Sequence, residues 1–362
     1  MRRGAVVAIG FGGLAATALV AVAGVCMTSG CATVGYYEQS TIGHLEILQA
    51  ARPVPQVLDD PATGATLRDR LVLSQRIRDF AVTELGEPDN ASYRRYADLK
   101  RPAAVWNVVA APELSLTLQT WCFIVVGCVG YRGYYDLPVA EAFAVEQRSA
   151  GLETSVYAVP AYSTLGALPF DWLADPLLNT FIDYPEGELA RLIFHELAHQ
   201  IAYAAGDTSF NESFATAVER IGGERWLATR ANAEARAEFE RSDTRRRDFR
   251  ALTAKYRSAL DTLYRTDASD AEKRSRKAAL FEALRAEYAA LKQERWGGFS
   301  GYDGWFVRAN NASLGVLAAY NDQVPAFMRL FERSGNDFGR FYAEVKRLVT
   351  LSASERRAEL ER

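Results

Sequence analysis

The chain is sparing with the side chains that most often carry chemistry: three histidines, four cysteines and three methionines in 362 residues. It has no basic run and no aromatic stacking motif, and its formal net charge is −3. That pattern gives no footing for a polyanion, so a nucleic-acid partner is excluded. No internal repeat is present, and no apolar stretch beyond the first thirty residues is long enough to span a bilayer. What remains is ordinary for a globular protein. Hydrophobic residues make up 49% and charged residues 24%, enough to bury the core of one large domain or two modest ones.

The N-terminus reads as a leader. Arg2 and Arg3 precede an apolar run from Ala5 to Val25, as in an export signal or an uncleaved anchor helix. Thr28-Ser29-Gly30-Cys31 then resembles the lipobox of bacterial lipoproteins, with Thr28 where Leu is usual. The resemblance implies lipid attachment at Cys31 and a body on the periplasmic side of the bacterial cell envelope. Cys26 and Cys31 belong to this leader, which leaves Cys122 and Cys128. In an oxidising compartment these two are expected to form a disulfide; the alternative is a pair of small buried thiols. They cannot form a zinc site, because no third Cys or nearby His completes one.

Beyond the leader (residues 1–30), the chain divides into an N-terminal α+β region with a sheet (31–186) and a helical region (187–362). Residues 32–65 are mixed, with one helix expected near 43–51. Apolar spacing predicts a helix over 67–85, stopped by Gly86-Glu87-Pro88. Strands are expected over 103–110, within 114–130 and over 154–160, with a helix over 138–150 between them. Residues 163–185 read as loop. Helices follow over 187–205 and 209–221. From Glu224 to Gln293 there is no Pro or Gly, so two long charged helices are expected, turning near 266–269 and projecting as a prop-like hairpin. A Gly- and aromatic-rich loop over 296–304 and helices over 310–320, 325–334 and 338–351 complete the chain.

Chemistry concentrates in Leu189-Ala-Arg-Leu-Ile-Phe-His195-Glu196-Leu-Ala-His199-Gln200. Four residues apart on a helix, His195 and His199 share one face and can grip one ion. Leu189, Ile193 and Leu197 repeat on another face and can enter the core. Glu196 can reach a water held at the metal. A His-Glu-x-x-His run can also occur by chance on a surface helix. Here, however, it holds two of the three histidines, sits among apolar residues and is followed by a suitable third ligand. The remaining histidine, His44, lies far upstream, so the third ligand should be a carboxylate. Glu212, in Asn211-Glu212-Ser213-Phe214-Ala215, would come back beside both histidines on an antiparallel helix. Asp207 and Glu219 compete with it. Asn211 and Glu219 are also candidates for supporting a ligand from behind.

His-Glu-Leu-Ala-His followed by Asn-Glu-x-Phe-Ala resembles the gluzincin metallopeptidases, which include thermolysin and the zinc aminopeptidases. In that group the Glu of the second motif is the third zinc ligand, which implies Glu212. More closely, the chain resembles a family of predicted bacterial aminopeptidases, many with lipoprotein signals. The resemblance rests on Ser92-Tyr-Arg-Arg-Tyr-Ala-Asp98, Val105-Trp-Asn-Val-Val109, Gly127-Cys-Val-Gly-Tyr-Arg-Gly-Tyr134, Ala161-Tyr-Ser-Thr-Leu-Gly166 and residues 194–215. It implies a zincin-like α+β fold, one zinc ion per chain and peptide substrates. The Gly-x-Met-Glu-Asn strand with which zinc aminopeptidases hold the substrate amine is missing; Glu153, Asp171, Asp175 and Asp183 are the acids left for that role. An oxyanion donor would come from Tyr131, Tyr134, Tyr162, Tyr302 or Tyr320. A zinc endopeptidase and an envelope-anchored scaffold with a structural zinc are the competing readings.

The leader generates a test. Cys31→Ala should release the protein from membranes or leave its precursor unprocessed. Mass spectrometry that finds an unmodified N-terminus at another residue overturns the lipid-anchor reading.

Overall fold

The computed structural model describes residues 31–123, 127–161, 171–319 and 323–362. The expectations for the leader, Tyr162 and Tyr320 lie outside the described residues. The described chain begins with α1 (Cys31–Ala50), more than twice the expected helix and the place of His44. β1 (Arg52–Pro53), α2 (Val54–Asp59) and α3 (Ala65–Leu85) follow. α3 stops where predicted, because Gly86 takes a left-handed φ of 66° and its N–H caps the Ala81 carbonyl.

The expected single sheet is three small ones. β2 (Arg95–Ala97), β3 (Val105–Pro112), β4 (Trp121–Phe123), β5 (Gly127–Val129) and β6 (Arg132–Tyr134) precede α4 (Leu137–Ser149). β7 (Leu152–Val159) and β8 (Leu177–Leu178) come after it. β1, β2 and β8 form one sheet, β6, β3 and β7 a second, and β4 pairs with β5. β3 and β7 run antiparallel from Val105 opposite Val159 to Pro112 opposite Leu152. Residues 107–111 of β3 are all buried. That is why the segment reads as an unbroken apolar run rather than an alternation. Among the described residues of 114–130, strand is confined to β4 and β5, which Cys122 and Cys128 clip with a disulfide.

The helical half comprises α5 (Glu186–Ala198), α6 (Thr208–Thr229), α7 (Ala233–Tyr264), α8 (Asp270–Glu294) and α9 (Asp303–Arg308). It closes with α10 (Asn311–Ala319), α11 (Val324–Arg333), α12 (Phe338–Val349) and α13 (Ala353–Glu361). α4 and α10 both pack on β3 and β7. Val108 faces Ala140 and Ala144 of α4, while Val109 and Ala111 face Ala312 of α10. No described helix is long and apolar enough to cross a membrane.

The hairpin of α7 and α8 does not project. Its buried face is apolar, with Phe249, Leu252, Leu260, Phe281 and Leu284 packing on Trp296, Phe306 and Leu314, and charged side chains then fasten it to the rest of the fold. Arg246 pairs with Glu188 of α5, and Arg191 Nη1 of α5 lies 3.5 Å from Asp243 Oδ1. Lys277 of α8 pairs with Glu153 of β7, and Arg274 Nε meets Glu113 Oε2 at 2.9 Å. The hairpin is thus strapped to the histidine-bearing helix at one end and to the sheet at the other.

α5 and α6 lie at the centre of the main core, with Leu189, Ile193, Phe194, Leu197, Phe210, Phe214 and Val218 all fully buried. Their close approach depends on two adjacent glycines in α6. A Cβ at Gly222 would stand 2.6 Å from Leu85 Cδ1 and 2.9 Å from Phe194 Cδ2; one at Gly223 would stand 2.7 Å from Arg191 Cγ. Gly222→Ala gains up to about 1 kcal/mol of helix propensity. It should still destabilise the protein, because forced overpacking costs about 1–3 kcal/mol. Gly35→Ala in α1, with nothing within 4 Å of the added carbon, should move the melting temperature upward instead. Equal shifts of one sign would refute this packing account.

Candidate metal centre

The site is built by α5 and its antiparallel neighbour α6. Leu189, Ile193 and Leu197 bury one face of α5, which leaves His195, Glu196 and His199 on the other. α5 ends at Ala198, earlier than the expected 205, and His199 caps it while keeping helical angles. The chain then turns through Gly206, at φ 78°, a left-handed conformation that glycine adopts without strain. Asp207 caps α6 by accepting from Phe210 N at 3.1 Å, and its other oxygen lies 3.2 Å from Arg356 Nη1. That makes Asp207 a structural cap and removes it as a ligand candidate. Asn211 pins the turn, accepting from Ala204 N at 2.7 Å and donating to Ala204 O at 2.8 Å.

This return brings His195, His199 and Glu212 together, with their ligating atoms all within 4.8 Å of one another. His195 Nε2 lies 3.4 Å from Glu212 Oε2, and His199 Nε2 lies 3.9 Å from Glu212 Oε1. Ligand atoms on a tetrahedral ion with bonds of 2.0–2.2 Å sit roughly 3.3–3.6 Å apart, so the three groups would draw closer together to hold one. His199 is buried, yet neither ring nitrogen has a hydrogen-bond partner among the described residues, and Nδ1 is wholly enclosed. A metal at Nε2 gives this imidazole a partner. Among the described residues no fourth His, Cys, Asp or Glu joins the group. Three protein ligands leave a position open for water or substrate.

Behind the ligands lies an ordered chain of charges. His195 Nδ1 stands 3.0 Å from Glu219 Oε2, and Glu219 in turn pairs with the buried Arg191. Glu219 therefore sits behind His195 and not among the ligands. Burial alone would raise its pKa, but Arg191 and His195 outweigh burial and keep it ionised. Burial would likewise lower the pKa of His195, but Glu212 and Glu219 outweigh burial and push it well above the ordinary value. His199 is driven the other way, to about 4, chiefly by burial, so it is the neutral imidazole that a metal requires. Burial raises Glu196 to about 7.

The three candidate ligands and Glu196 face a cleft of about 510 Å³ with an aromatic lining. Tyr36, Tyr37, Phe123, Tyr131, Tyr135 and Tyr203 line it. Of the three candidate oxyanion donors among the described residues, Tyr131, Tyr134 and Tyr302, only Tyr131 lines it. Tyr134 is buried against Tyr36, and Tyr302 stacks on Phe249 with ring centroids 4.6 Å apart; both are packing residues. Sequence reasoning missed Tyr203, although it continues the four-residue spacing of His195 and His199. It also missed Tyr36, which no local signal connects to the histidines. Glu153, Asp171, Asp175 and Asp183 do not line this cleft. Glu153 is engaged by Lys277 and by Asn311 N, at 2.8 Å. The Ser92 motif has a supporting role, since Gln200, next to His199, donates to Ser92 Oγ at 3.0 Å and accepts from Asn90 at 2.7 Å.

A family model described as putative aminopeptidase matches residues 35–360. No curated protein and no solved structure matches the chain.

Metal binding should be stoichiometric and lost in His195→Ala and His199→Ala. Glu212→Ala should weaken it strongly. Glu219→Gln should lower affinity by about 10–100-fold through loss of ligand orientation. Because Glu212 and Glu219 hold a proton on His195 at neutral pH, a metal must displace it. Apparent affinity should then rise about tenfold per pH unit from about pH 6 through neutrality. Calorimetry in buffers of different ionisation enthalpy should count about one proton released; buffer-independent heats would refute this.

Proposed function

The chain belongs to the putative aminopeptidase family, and on that premise we propose a zinc-dependent peptidase of the gluzincin type with a zincin-like fold. It removes N-terminal residues from peptides in the bacterial cell envelope, to which acylated Cys31 tethers it. The observation that carries this reading is the convergence of His195, His199 and Glu212 on one point beside the unliganded carboxyl of Glu196. Two imidazoles and a carboxylate form the donor set expected of catalytic zinc.

The metal supplies Lewis acidity toward water and the substrate carbonyl. Glu196 accepts a proton from the attacking water at its carboxylate and passes it to the leaving amine as the C–N bond breaks. With a pKa raised to about 7, it can both take and return that proton near neutrality. Glu219 and Arg191 fix the His195 ring from behind. The hydroxyls of Tyr131 and Tyr203 are kept protonated first by burial and then by the charge of Glu212. They are therefore available as donors to the developing oxyanion. β7 is an edge strand whose end, Val159, lines the cleft together with Pro160 and Ala161. An extended peptide would lie along this end of the strand.

Glu196→Gln separates metal binding from chemistry. The substitution preserves shape but cannot accept the proton. It should keep metal content unchanged and lower peptide hydrolysis by at least about 10²–10⁴-fold. A scaffold with a structural zinc would show no consequence. A purified variant that keeps its metal and trims peptides at the parent rate eliminates the mechanism.

A further inference from the structure

A second cavity, of about 260 Å³, opens between α5 and α7 on the other side of His195 and Glu196. Its character is the reverse of the tyrosine cleft. Arg191, Arg246 and Arg250 line it, with Glu188 and Glu219 between them. Two of these cations are spoken for. Arg191 pairs with Glu219 and, at 3.5 Å, with Asp243; Arg246 pairs with Glu188. Arg250 is not. It is half-buried, and its guanidinium makes no hydrogen bond or ion pair among the described residues. Its electrostatic surroundings are hostile as well. Burial, and then the charges of Arg220, Arg246 and Arg191, push its pKa down to about 10, with only Glu219 acting the other way.

A guanidinium remains protonated there, so the fold holds a cation that neighbouring cations repel and that no carboxylate pairs with directly among the described residues. An arriving anion relieves that repulsion and gains a charge-assisted hydrogen bond. The cavity shares His195 and Glu196 with the tyrosine cleft, so one extended peptide crossing the metal centre can enter both. Resting on the peptidase reading above, we propose that Arg250 anchors a carboxylate of the peptide substrate in this cavity. The substrates are then short peptides with a free C-terminal carboxylate, or peptides bearing Asp or Glu beside the scissile bond. The tyrosine cleft takes the uncharged part. Within α7, predicted from sequence as a mere prop, Arg250 becomes a specificity residue.

Equilibrium binding to the metal-loaded Glu196→Gln protein tests this without turnover. The probes are Ala-Leu-Ala as the free acid, the same peptide as its C-terminal amide, and amidated Ala-Leu-Glu. The free acid should bind about tenfold or more tightly than its amide, which identifies the α-carboxylate as ligand. Tighter binding of amidated Ala-Leu-Glu instead identifies a side-chain carboxylate. Adding Arg250→Gln should bring the charged-to-neutral ratio close to one, and Arg250→Lys should restore part of it; equal melting temperatures exclude misfolding as the cause. Equal binding of all three peptides, or a ratio that survives Arg250→Gln, overturns the subsite. Failure of the parent protein to cleave any peptide would instead count against the peptidase reading and leave the binding ratio as an independent result.

Discussion

Two helices can share one metal ion only if their axes approach closely. In this chain that approach is made by removing side chains where α6 meets its neighbours. Gly222 admits Phe194 of α5 and Leu85 of α3, and Gly223 admits the stem of Arg191. Glycine inside a helix costs about 1 kcal/mol relative to alanine. The cost is offset by the buried apolar surface around Phe194, Phe210, Phe214 and Val218. Everything chemical follows from this contact. Glu212 reaches the histidines from one end of α6. Glu219, nearly two turns further along the same face, reaches the back of His195.

The same contact explains why so many charges are tolerated near the core. Glu212, His195, Glu219, Arg191 and Asp243 alternate in sign along a line from the metal centre to α7. Each ion is expensive to desolvate alone, and truncating one member would strand its neighbours. A buried ionic chain of this kind contributes little net stability but specifies geometry. Here it fixes the tautomer and orientation of His195. It also determines where α7 lies, since Asp243 and Arg246 attach that helix to Arg191 and Glu188 of α5. The helix that appears detachable in the sequence is therefore coupled to the candidate metal site.

The sequence revealed what is local. The four-residue spacing of His195 and His199 is a property of one helix, as is the apolar stripe that orients it. Glu212 was reachable because only a short turn separates it from His199. The limits of legibility are also physical. His195 and His199 are joined in the cleft by Tyr36 of α1 and Tyr131 beside β6, more than sixty residues away in sequence. Nothing local marks a tyrosine as lining rather than packing, so the sequence does not separate Tyr131 from Tyr134 and Tyr302. Likewise, β3 is covered on both faces by α4 and α10, a tertiary arrangement that strand propensity cannot encode.

The cleft also depends on a covalent element remote from the metal. Gly127 of β5 stands so close to the turn between α5 and α6 that a Cβ there would lie 3.2 Å from Gly206 Cα and Gly206 N. The disulfide of Cys122 and Cys128 clips the two short strands of which Gly127 is part. Phe123 and Val129 of the same hairpin line the cleft. A two-stranded hairpin of this length is marginal on its own, and a cross-link favours its folded form by restricting the unfolded chain. The hairpin thus leans backbone to backbone on the turn that carries α5 into α6. A cross-link among residues that never touch the metal becomes part of what holds His199 and Glu212 in register, and it ties the shape of the aromatic cleft to an oxidising environment.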